Sequence, residues 1–563
     1  MKKLINSPRR VVPDLLAAMV AQDPSLCLLE GENVLLRADI PEDPADRAVA
    51  LISGGGSGHE PAHGGYVGKG MLSAAVAGDV FTSPSVDAIL SAILASAGPA
   101  GALLIVKNYT GDRLNFSLAA ELAAAEDIPC EVVFVADDAA LRDLVSRDRR
   151  RGLAGTVLVH KAAGAAAEAG LSLSEVAAVA RGVADDLVTM GVGLGACIVP
   201  TAGQPSFELG DEEVEYGLGI HGEKGVERGP MADAATVTRR ILDTLEAEMG
   251  AALKGPLGLM VNGLGATPPM ELGIVAGEAL AQLKQRGADV QLIWTGNFMT
   301  ALEMPGASIT LLPLNAERRK WLEAPTGVRV WPSSATVGMA GRSLHLPRPA
   351  ESIPEIAPGP LTPVLKAAVE RVAAALIAAE PHLTDLDSKA GDGDLGASMF
   401  RAAEAIRALP EAAYNHPAQL FVTLAATLRR AIAGSSGPFY ATALMRAARP
   451  LEKEEVPSAE AWDAAFAAGV AAVSAIGGAQ PGDRTMVDAL DPALKAWGEQ
   501  RAANASLQEA LAAAAKAAKS GADATARMTP KLGRASYLGA RAVGTNDGGA
   551  EAVAYWLAAL AKA

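Results

Sequence analysis

The most constraining feature of this sequence is a single change in its pattern of apolar residues, which occurs at a proline-rich segment over 346–362. Polar segments crowded with proline behave as semi-rigid linkers. At 563 residues the chain is also too long for one hydrophobic core. We therefore predict an N-terminal domain over 1–345, a linker over 346–362 and a C-terminal domain over 363–563.

Before this linker, short apolar runs alternate with helical patterns. The runs are VALIS at 49–53, ALLIV at 102–106, VVFVA at 132–136, TVLVH at 156–160, ACIVP at 196–200, LGLMVNG at 257–263, VQLIW at 290–294 and ITLLPL at 309–314. Such alternation is typical of α/β domains in which parallel or mixed sheets are covered by helices. We predict two subdomains that divide near 185–195, with the ligand-handling residues in loops after the strands.

After the linker the strand-like runs disappear, and alanine- and leucine-rich helical spacing continues to the end of the chain. Polar, glycine-rich loops interrupt the helices, for example AGDGDLG at 390–396 and GSSGP at 434–438. This pattern predicts an all-α C-terminal domain. We expect the chemistry of this half to lie in its loops.

Charge and cysteine content exclude several classes of protein. The formal net charge is −15, which argues against a nucleic acid or an anionic membrane as partner. Cys27, Cys130 and Cys197 are widely separated, so no cysteine zinc site is predicted and a reducing compartment is favoured. No secretory signal is recognisable, and the longest apolar stretch is interrupted by Gly98 and Pro99. We predict a cytoplasmic protein without a membrane span.

Three segments of the first half combine glycine with polar residues. GGGSGHEP at 54–61 follows an apolar run and allows close backbone approach to a ligand, although an ordinary strand-to-helix turn would look the same. Lys107 and Asp112 follow the next run, where they could orient a hydroxyl and accept its proton. EYGLGIHGE at 215–223 presents His221 among glycines. A surface ion pair and a structural histidine are the plainer interpretations of the last two segments.

The second half contains three carboxylates within eight positions, Asp387, Asp392 and Asp394. Carboxylates this close repel one another and favour a cation, and oxygen ligands suit Mg²⁺. A carboxylate-rich helix N-cap is the alternative. The GSSGP loop is expected to open a helix whose N–H groups face phosphate. GDRTMVD at 482–488 and KLGRASY at 531–537 add an apolar surface and an arginine.

GGGSGHEP, the Lys107 segment and EYGLGIHGE, in this order, closely resemble the substrate-binding module of the dihydroxyacetone kinase family over about residues 1–340. The resemblance implies that His221 captures a ketone covalently as a hemiaminal. It also implies that His59 is a second active-site histidine and that Asp112 is the base for the terminal hydroxyl. The implied substrate-binding residues are Gly56, Ser57, Gly58, Lys107 and Asp112.

The loops of the second half resemble the nucleotide-binding module of the same family over about residues 365–563, and the fold implied is an eight-helix barrel. The resemblance implies that Asp387, Asp392 and Asp394 bind two Mg²⁺ ions together with ATP. The implied nucleotide contacts are Leu395, Gly396, Ala397, Ser398, Ser435, Ser436, Gly477, Thr485, Met486, Arg534, Asp547, Gly548 and Gly549. Leu395 and Gly548 depart from the residues common in the family, and we expect altered nucleotide affinity from them.

The two modules in one chain imply ATP-dependent phosphorylation of the terminal hydroxyl of dihydroxyacetone or a related short ketose or triose. The resemblance also implies a homodimer in which the helical domain of one chain covers the sugar site of the other. Three alternatives stay open: a kinase that takes phosphate from a phosphocarrier with ADP as cofactor, a ketose-sensing regulatory protein, and a side activity that cyclises FAD. The motifs do not choose among dihydroxyacetone, glyceraldehyde and erythrulose.

Overall fold

The structure is a computed structural model that describes residues 2–332, 335–336, 356–432, 434 and 436–562. The chain divides into two compact units, Met1–Leu344 (unit 1) and His345–Ala563 (unit 2). Residues 346–355 of the predicted linker lie outside the described residues, and the first helix of unit 2 begins at Thr362. The domain limits derived from sequence stay a prediction.

Unit 1 begins with a six-stranded mixed sheet. Its strands are β1 (Leu26–Leu28), β2 (Val34–Arg37), β3 (Ala50–Ser57), β4 (Ala74–Val80), β5 (Ala102–Lys107) and β6 (Cys130–Val135), and its helices are α1 (Val11–Gln22), α2 (Val86–Ser96), α3 (Thr110–Ala124), α4 (Thr156–Glu168) and α5 (Leu173–Asp186). The strand order is β1-β2-β4-β3-β5-β6. Strands β4, β3, β5 and β6 are parallel to one another, so their carboxyl ends meet at one edge.

A second, seven-stranded sheet follows in unit 1. Its strands are β7 (Val188–Gly193), β8 (Glu213–Tyr216), β9 (Glu227–Pro230), β10 (Pro256–Gly263), β11 (Asp289–Gly296), β12 (Gly306–Pro313) and β13 (Ala335–Thr336), and its helices are α6 (Ala234–Met249), α7 (Pro269–Gln285) and α8 (Ala316–Glu323). The order is β13-β11-β10-β12-β7-β8-β9, and only β10 and β11 pair in parallel. All strands of the first sheet precede Asp186, and all those of the second follow it.

Two apolar runs that predicted strands are not strands. TVLVH at 156–160 begins helix α4, which is buried from Thr156 to Ala166. A helix buried on every side is apolar on every side, so it lacks the 3.6-residue period that would distinguish it from a buried strand. ACIVP at 196–200 contributes only an isolated bridge between Ile198 and Pro205.

Unit 2 is helical, as predicted. Its α-helices within the described residues are α9 (Thr362–Ala390), α10 (Leu395–Arg407), α11 (Pro417–Ala431), α12 (Ser436–Ala448), α13 (Ala459–Gly477), α14 (Val487–Ala502), α15 (Leu507–Ala524) and α16 (Gly548–Ala561). Each packs against the next, and α16 packs back against α9, which closes a ring of eight. Helix α13 has the length and apolar composition to cross a membrane, but core helices pass the same test. It packs against α12 and α14 in the ring.

Lys161 in α4 is a cation buried in the core of unit 1, and its Nζ donates to the Trp321 carbonyl at 2.8 Å. Burial lowers the pKa of Lys161 to about 8. Below that pH the lysine is charged in both the folded and unfolded states, and the full cost of burying the charge applies. Above it, the folded protein loses the proton first, so the free energy of unfolding rises until the unfolded lysine also titrates.

We therefore expect Lys161→Met to raise the free energy of unfolding of unit 1 by about 2 kcal/mol at pH 7.5, after allowing for the lost hydrogen bond. The variant should also lose the part of the pH dependence that lies above pH 8. Urea unfolding at pH 7.5 and 9.5 measures both effects. Lys254→Met, at an exposed site, is the control. A variant less stable than the parent at pH 7.5 would contradict the expectation.

Candidate active site

The glycine run of unit 1 lies within strand β3, which continues to Ser57, and not after the strand as the sequence predicted. The reason is close packing around the strand. A Cβ at Gly54 would lie 2.4 Å from the Val76 carbonyl oxygen, and one at Gly56 would lie 2.5 Å from the Thr82 nitrogen. Only glycine allows β3 to pass at these distances. Gly58 follows the strand with a φ of +104°, a conformation that favours glycine.

Lys107 and Asp112 lie beside Gly55 of β3. A Cβ at Gly55 would be 3.0 Å from Lys107 Nζ and 3.5 Å from Asp112 Oδ2. Lys107 ends β5 and Asp112 lies in the first turn of α3, so the carboxyl end of the sheet brings them together. Both are buried, yet Lys107 Nζ and Asp112 Oδ1 have no hydrogen-bond partner in the described part of the chain. Burial lowers the pKa of Lys107, an effect that neighbouring Asp112 opposes.

Buried polar atoms are normally hydrogen-bonded, so these two unpartnered atoms are the ones that a polar ligand would satisfy. Ser57 is buried as well, and its hydroxyl donates to the Gly78 carbonyl at 2.7 Å. Its side chain is therefore already engaged within the protein. Lys107 Nζ can donate to a ligand oxygen, and Asp112 Oδ1 can accept from a ligand hydroxyl.

The two predicted histidines lie together although 162 residues separate them in sequence. The ring centroids of His59 and His221 are 4.8 Å apart, with one ring edge towards the other. His59 Nδ1 lies 2.8 Å from the Thr300 carbonyl oxygen, which only accepts, so this nitrogen carries the proton. His59 Nε2 is buried and has no partner among the described residues. Burial and the nearby Lys107 charge keep the pKa of His59 well below its ordinary value.

His221 follows the short strand β8 and is partly exposed, with 18% of its side-chain surface accessible. Aromatic rings pack around its imidazole: the centroid of Tyr109 lies at 4.6 Å and that of Phe81 at 5.2 Å. His221 Nδ1 lies 3.2 Å from Glu223 Oε1. Although burial opposes ionisation, hydrogen bonds from the ring and backbone N–H groups lower the pKa of Glu223 to about 2.

Four residues of this site were not predicted from the sequence: Glu223, Tyr109, Phe81 and Thr300. Glu223 had a usable signal, because a carboxylate two residues after a histidine in a glycine-rich turn can reach its ring. Phe81 and Thr300 had none, since they come from loops remote in sequence. The site residues of unit 1 therefore converge from the ends of β3 and β5, the turn after β8 and the loop after β11.

In unit 2 the three aspartates form a group whose ligand oxygens all lie within 4.8 Å of one another. The sequence suggested that all three stand at the start of a helix. Asp387 instead lies in the last turn of α9, and Asp394 occupies the N-cap position of α10 without a capping hydrogen bond from its side chain. Asp387 Oδ2 accepts from the Leu395 N–H at 3.2 Å, which ties the two helices together. An oxygen-only set that is partly exposed fits a hard cation such as Mg²⁺.

The predicted nucleotide residues lie at helix ends of unit 2. Leu395, Gly396, Ala397 and Ser398 form the first turn of α10, Ser436 begins α12, Gly477 ends α13, Thr485 and Met486 precede α14, and Asp547, Gly548 and Gly549 begin α16. Ser435 and the side chain of Arg534 lie outside the described residues.

Packing joins several of these positions. A Cβ at Gly549 would be 3.7 Å from that of Met486, and one at Gly477 would be 2.9 Å from the Phe439 ring. Asp547 caps α16 by accepting from the Ala550 N–H at 2.9 Å. Burial raises the pKa of Asp547 to about 6, against the effects of that hydrogen bond and the Arg484 charge. The first residues of α16 thus lie beside Met486, which precedes α14, and beside Leu395, which follows Asp394 at the start of α10.

The two residues that depart from the family pattern contact each other. A Cβ at Gly548 would lie 2.6 Å from Leu395 Cδ2, so any larger residue at 548 must displace the leucine. We expect Gly548→Ala to weaken ATP binding by about 1 kcal/mol, and we expect the Leu395→Ala/Gly548→Ala double variant to recover that loss. Calorimetric titration with a non-hydrolysable ATP analogue measures it. Gly498→Ala, with open space at its Cβ position, is the control. Additive effects of the two substitutions would exclude coupling.

Comparisons with known proteins find matches to both halves of the chain. Residues 17–330 match the Dak1 domain and residues 389–562 match the DAK2 domain. The chain is 45% identical to the human triokinase/FMN cyclase over 99% of this chain and 98% of that protein. It is 38% identical to the dihydroxyacetone kinase of Citrobacter freundii, over 99% and 98% of the two chains.

Among solved structures, the C. freundii dihydroxyacetone kinase in complex with AMP-PNP and Mg²⁺ matches with a TM-score of 0.65 and 36% identity, over 100% of this chain and 99% of that one. This match confirms the predicted fold class, an α/β half followed by a helical half. Both domain models and the full-length relatives therefore lead to one conclusion: the chain belongs to the dihydroxyacetone kinase family, in its single-chain form with both modules fused.

Proposed function

We propose that this protein transfers the γ-phosphoryl group of ATP to the terminal hydroxyl of dihydroxyacetone or a related short ketose or triose, with the substrate held on His221 as a hemiaminal. The observation that carries the proposal is the pair of orphaned buried groups, Lys107 Nζ and Asp112 Oδ1, in the same site as the partly exposed His221. A neutral imidazole attacks carbonyl carbons, so the site would select ketones and aldehydes over polyols such as glycerol.

In this mechanism His221 holds the former carbonyl carbon while Lys107 Nζ donates to a substrate oxygen. Asp112 accepts the proton of the terminal hydroxyl as that oxygen attacks the γ-phosphorus, and ADP leaves. Asp387, Asp392 and Asp394 would hold Mg²⁺ with the nucleotide, and the cation would neutralise charge on the phosphates when bound. The relative solved with AMP-PNP and Mg²⁺ supports one nucleotide–metal site. That the site would hold two Mg²⁺ ions is part of our proposal.

The test is ADP release by the purified protein with Mg²⁺ and ATP, comparing dihydroxyacetone, erythrulose, glyceraldehyde and glycerol. Turnover with carbonyl substrates and none with glycerol is expected, and the ranking identifies the physiological class. No turnover with ATP but turnover with a phosphocarrier protein would favour the phosphocarrier-dependent kinase. Binding of ketose without turnover under either condition would favour the ketose-sensing regulator.

A second activity is favoured by one observation: the human relative is named for both triokinase and FMN cyclase activities. The corresponding reaction here would be intramolecular attack of a ribityl hydroxyl of FAD on the flavin-side phosphorus, with AMP as leaving group. The aspartate group could serve this phosphorus chemistry as it serves ATP. Incubation with FAD and Mn²⁺, followed by chromatography, should yield equal amounts of cyclic flavin phosphate and AMP. Intact FAD would dismiss the activity.

We further propose that the functional unit is a homodimer in which the helical half of one chain serves the sugar site of the other. An inactive His221→Ala chain retains its nucleotide site, and an inactive Asp392→Asn chain retains its sugar site. If the halves work across chains, mixed dimers of these two variants regain one complete site each. We expect co-refolded mixtures to recover about a quarter of the activity of the parent protein. Mixtures as inactive as the separate variants would indicate that each chain acts alone.

A further inference from the structure

The carboxylate of Glu223 binds the same histidine twice. Its Oε1 lies 3.2 Å from the ring nitrogen Nδ1 of His221, and its Oε2 accepts from the backbone N–H of His221 at 2.9 Å. One carboxylate thus holds both the main chain and the ring of a single residue. Because a carboxylate offers two acceptor oxygens, both bonds form at once.

This contact determines which ring nitrogen carries the proton. An ionised carboxylate only accepts hydrogen bonds, so Nδ1 must donate and therefore holds the proton of the neutral imidazole. Nε2 then carries a lone pair. In this tautomer Nε2 is the atom able to attack a carbonyl carbon, whereas the opposite tautomer would have its proton there.

The surroundings keep this arrangement in place. A Cβ at Gly219 would lie 2.2 Å from Glu223 Oε2 and 2.9 Å from Arg151 Nη1, so the glycine lets both groups close over the turn. Arg151 donates to the Gly217 carbonyl at 2.7 Å and pairs with Asp138 at 2.6 Å. The turn that carries His221 is therefore anchored by Arg151, in the segment between β6 and α4, as well as by Glu223.

We propose that Glu223 is the positioning residue for ketone capture: it holds His221 as the Nδ1–H tautomer and stabilises the positive charge that the ring gains on reaction. The inference rests on the proposed capture by His221. As the bond between Nε2 and the carbonyl carbon forms, the C=O π pair moves to the oxygen, which takes a proton from solvent. The ring is then an imidazolium whose Nδ1 proton faces the Glu223 carboxylate, as in catalytic triads with an acidic member.

Glutamine cannot replace this carboxylate. A carboxamide has one oxygen where the carboxylate has two, so its NH₂ group would face either the ring N–H or the backbone N–H, and a donor cannot accept from either. It also carries no charge to balance an imidazolium. We expect Glu223→Gln to lower kcat/KM for dihydroxyacetone by about 100-fold while leaving the KM for ATP unchanged.

The direct test is ¹⁵N NMR of the full chain with labelled histidine, where the His221 signals are identified by their loss in His221→Ala. We expect the native protein to show a proton on Nδ1, and the Glu223→Gln protein to show mixed tautomers. With [2-¹³C]dihydroxyacetone, the tetrahedral carbon signal of the adduct should fall by a similar factor in the variant. Glu227→Gln removes an exposed carboxylate that is paired with Arg240, close by in sequence, and is the control.

Three outcomes are separable. An unchanged Nδ1–H tautomer and unchanged adduct signal in Glu223→Gln would overturn the assignment of Glu223. A mixed tautomer in the variant with a lost adduct and a normal KM for ATP would support it. Absence of any adduct in the native protein would overturn ketone capture itself, which is a failure of the proposed function and not of the tautomer argument.

Discussion

The Asp392→Asn variant should lose ATP-dependent phosphorylation by about 10³-fold while still binding ketose. The loss is expected because, in the proposed function, the negative charge of each carboxylate would help to bind the cation that holds the phosphates. An amide keeps the size of the side chain and removes that charge. Initial rates of ADP release at saturating ATP measure the effect, and calorimetric titration with ATP in Mg²⁺ should show weakened binding.

Asp385→Asn is the matched control for this experiment. Asp385 lies on the same helix, two residues before Asp387, and pairs with Lys389 at 2.5 Å outside the aspartate group. The Asp385→Asn variant should retain nearly full activity. The exposed ion pair that it loses contributes little to stability, so the variant should stay folded. Full activity of Asp392→Asn would show that this carboxylate is not a metal ligand and would exclude the proposed nucleotide site.

The His221→Ala variant should lower kcat/KM for dihydroxyacetone by about 10³-fold and abolish the preference for carbonyl compounds over glycerol. Covalent capture converts a weakly held triose into a fixed one, and its loss removes the orientation that phosphoryl transfer requires. The tetrahedral carbon signal with [2-¹³C]dihydroxyacetone should vanish. ATP binding should be unchanged, because the aspartate group belongs to unit 2.

His382→Gln serves as the control for this experiment. His382 is exposed on α9, and its Nδ1 lies 2.8 Å from the Tyr555 hydroxyl oxygen. Its kinetics should match those of the parent protein. An adduct signal that persists in His221→Ala would mean that another nucleophile captures the ketone. His59 would then be examined next, because its Nε2 is unprotonated and unpartnered in the described residues.

Much of the fold could be predicted from local pattern. The runs at 49–53, 102–106 and 290–294 lie in strands, and the segment after Thr362 is helical in its described parts. One error arose where burial was complete. Helix α4 is apolar on all sides, and its sequence therefore had no period to reveal a helix. The glycine run at 54–57 was predicted to follow the strand, yet close packing against Val76 and Thr82 requires glycine within the strand itself.

The residues of the candidate site likewise fall into those that were predicted from the sequence and those that were not. The histidines, Lys107 and Asp112 were identified through the family resemblance, because the residues alone fitted a surface ion pair and a structural histidine equally. Their roles stay a prediction. Glu223 was overlooked because its importance depends on the conformation of one turn. Thr300 and Phe81 were overlooked because the loops that bring them to His59 are far apart in sequence.

The sequence by itself determined the division into an α/β half and a helical half, and it identified the acidic group of unit 2. Both are local properties, since a period or a spacing is visible within a few residues. Only the tertiary structure decided which side chains share a site and which polar atoms lack partners. Lys107 and Asp112 are ordinary until burial removes water from them, and His221 has no defined tautomer until Glu223 contacts its ring. Burial and hydrogen bonding join residues distant in sequence, so no local pattern records them.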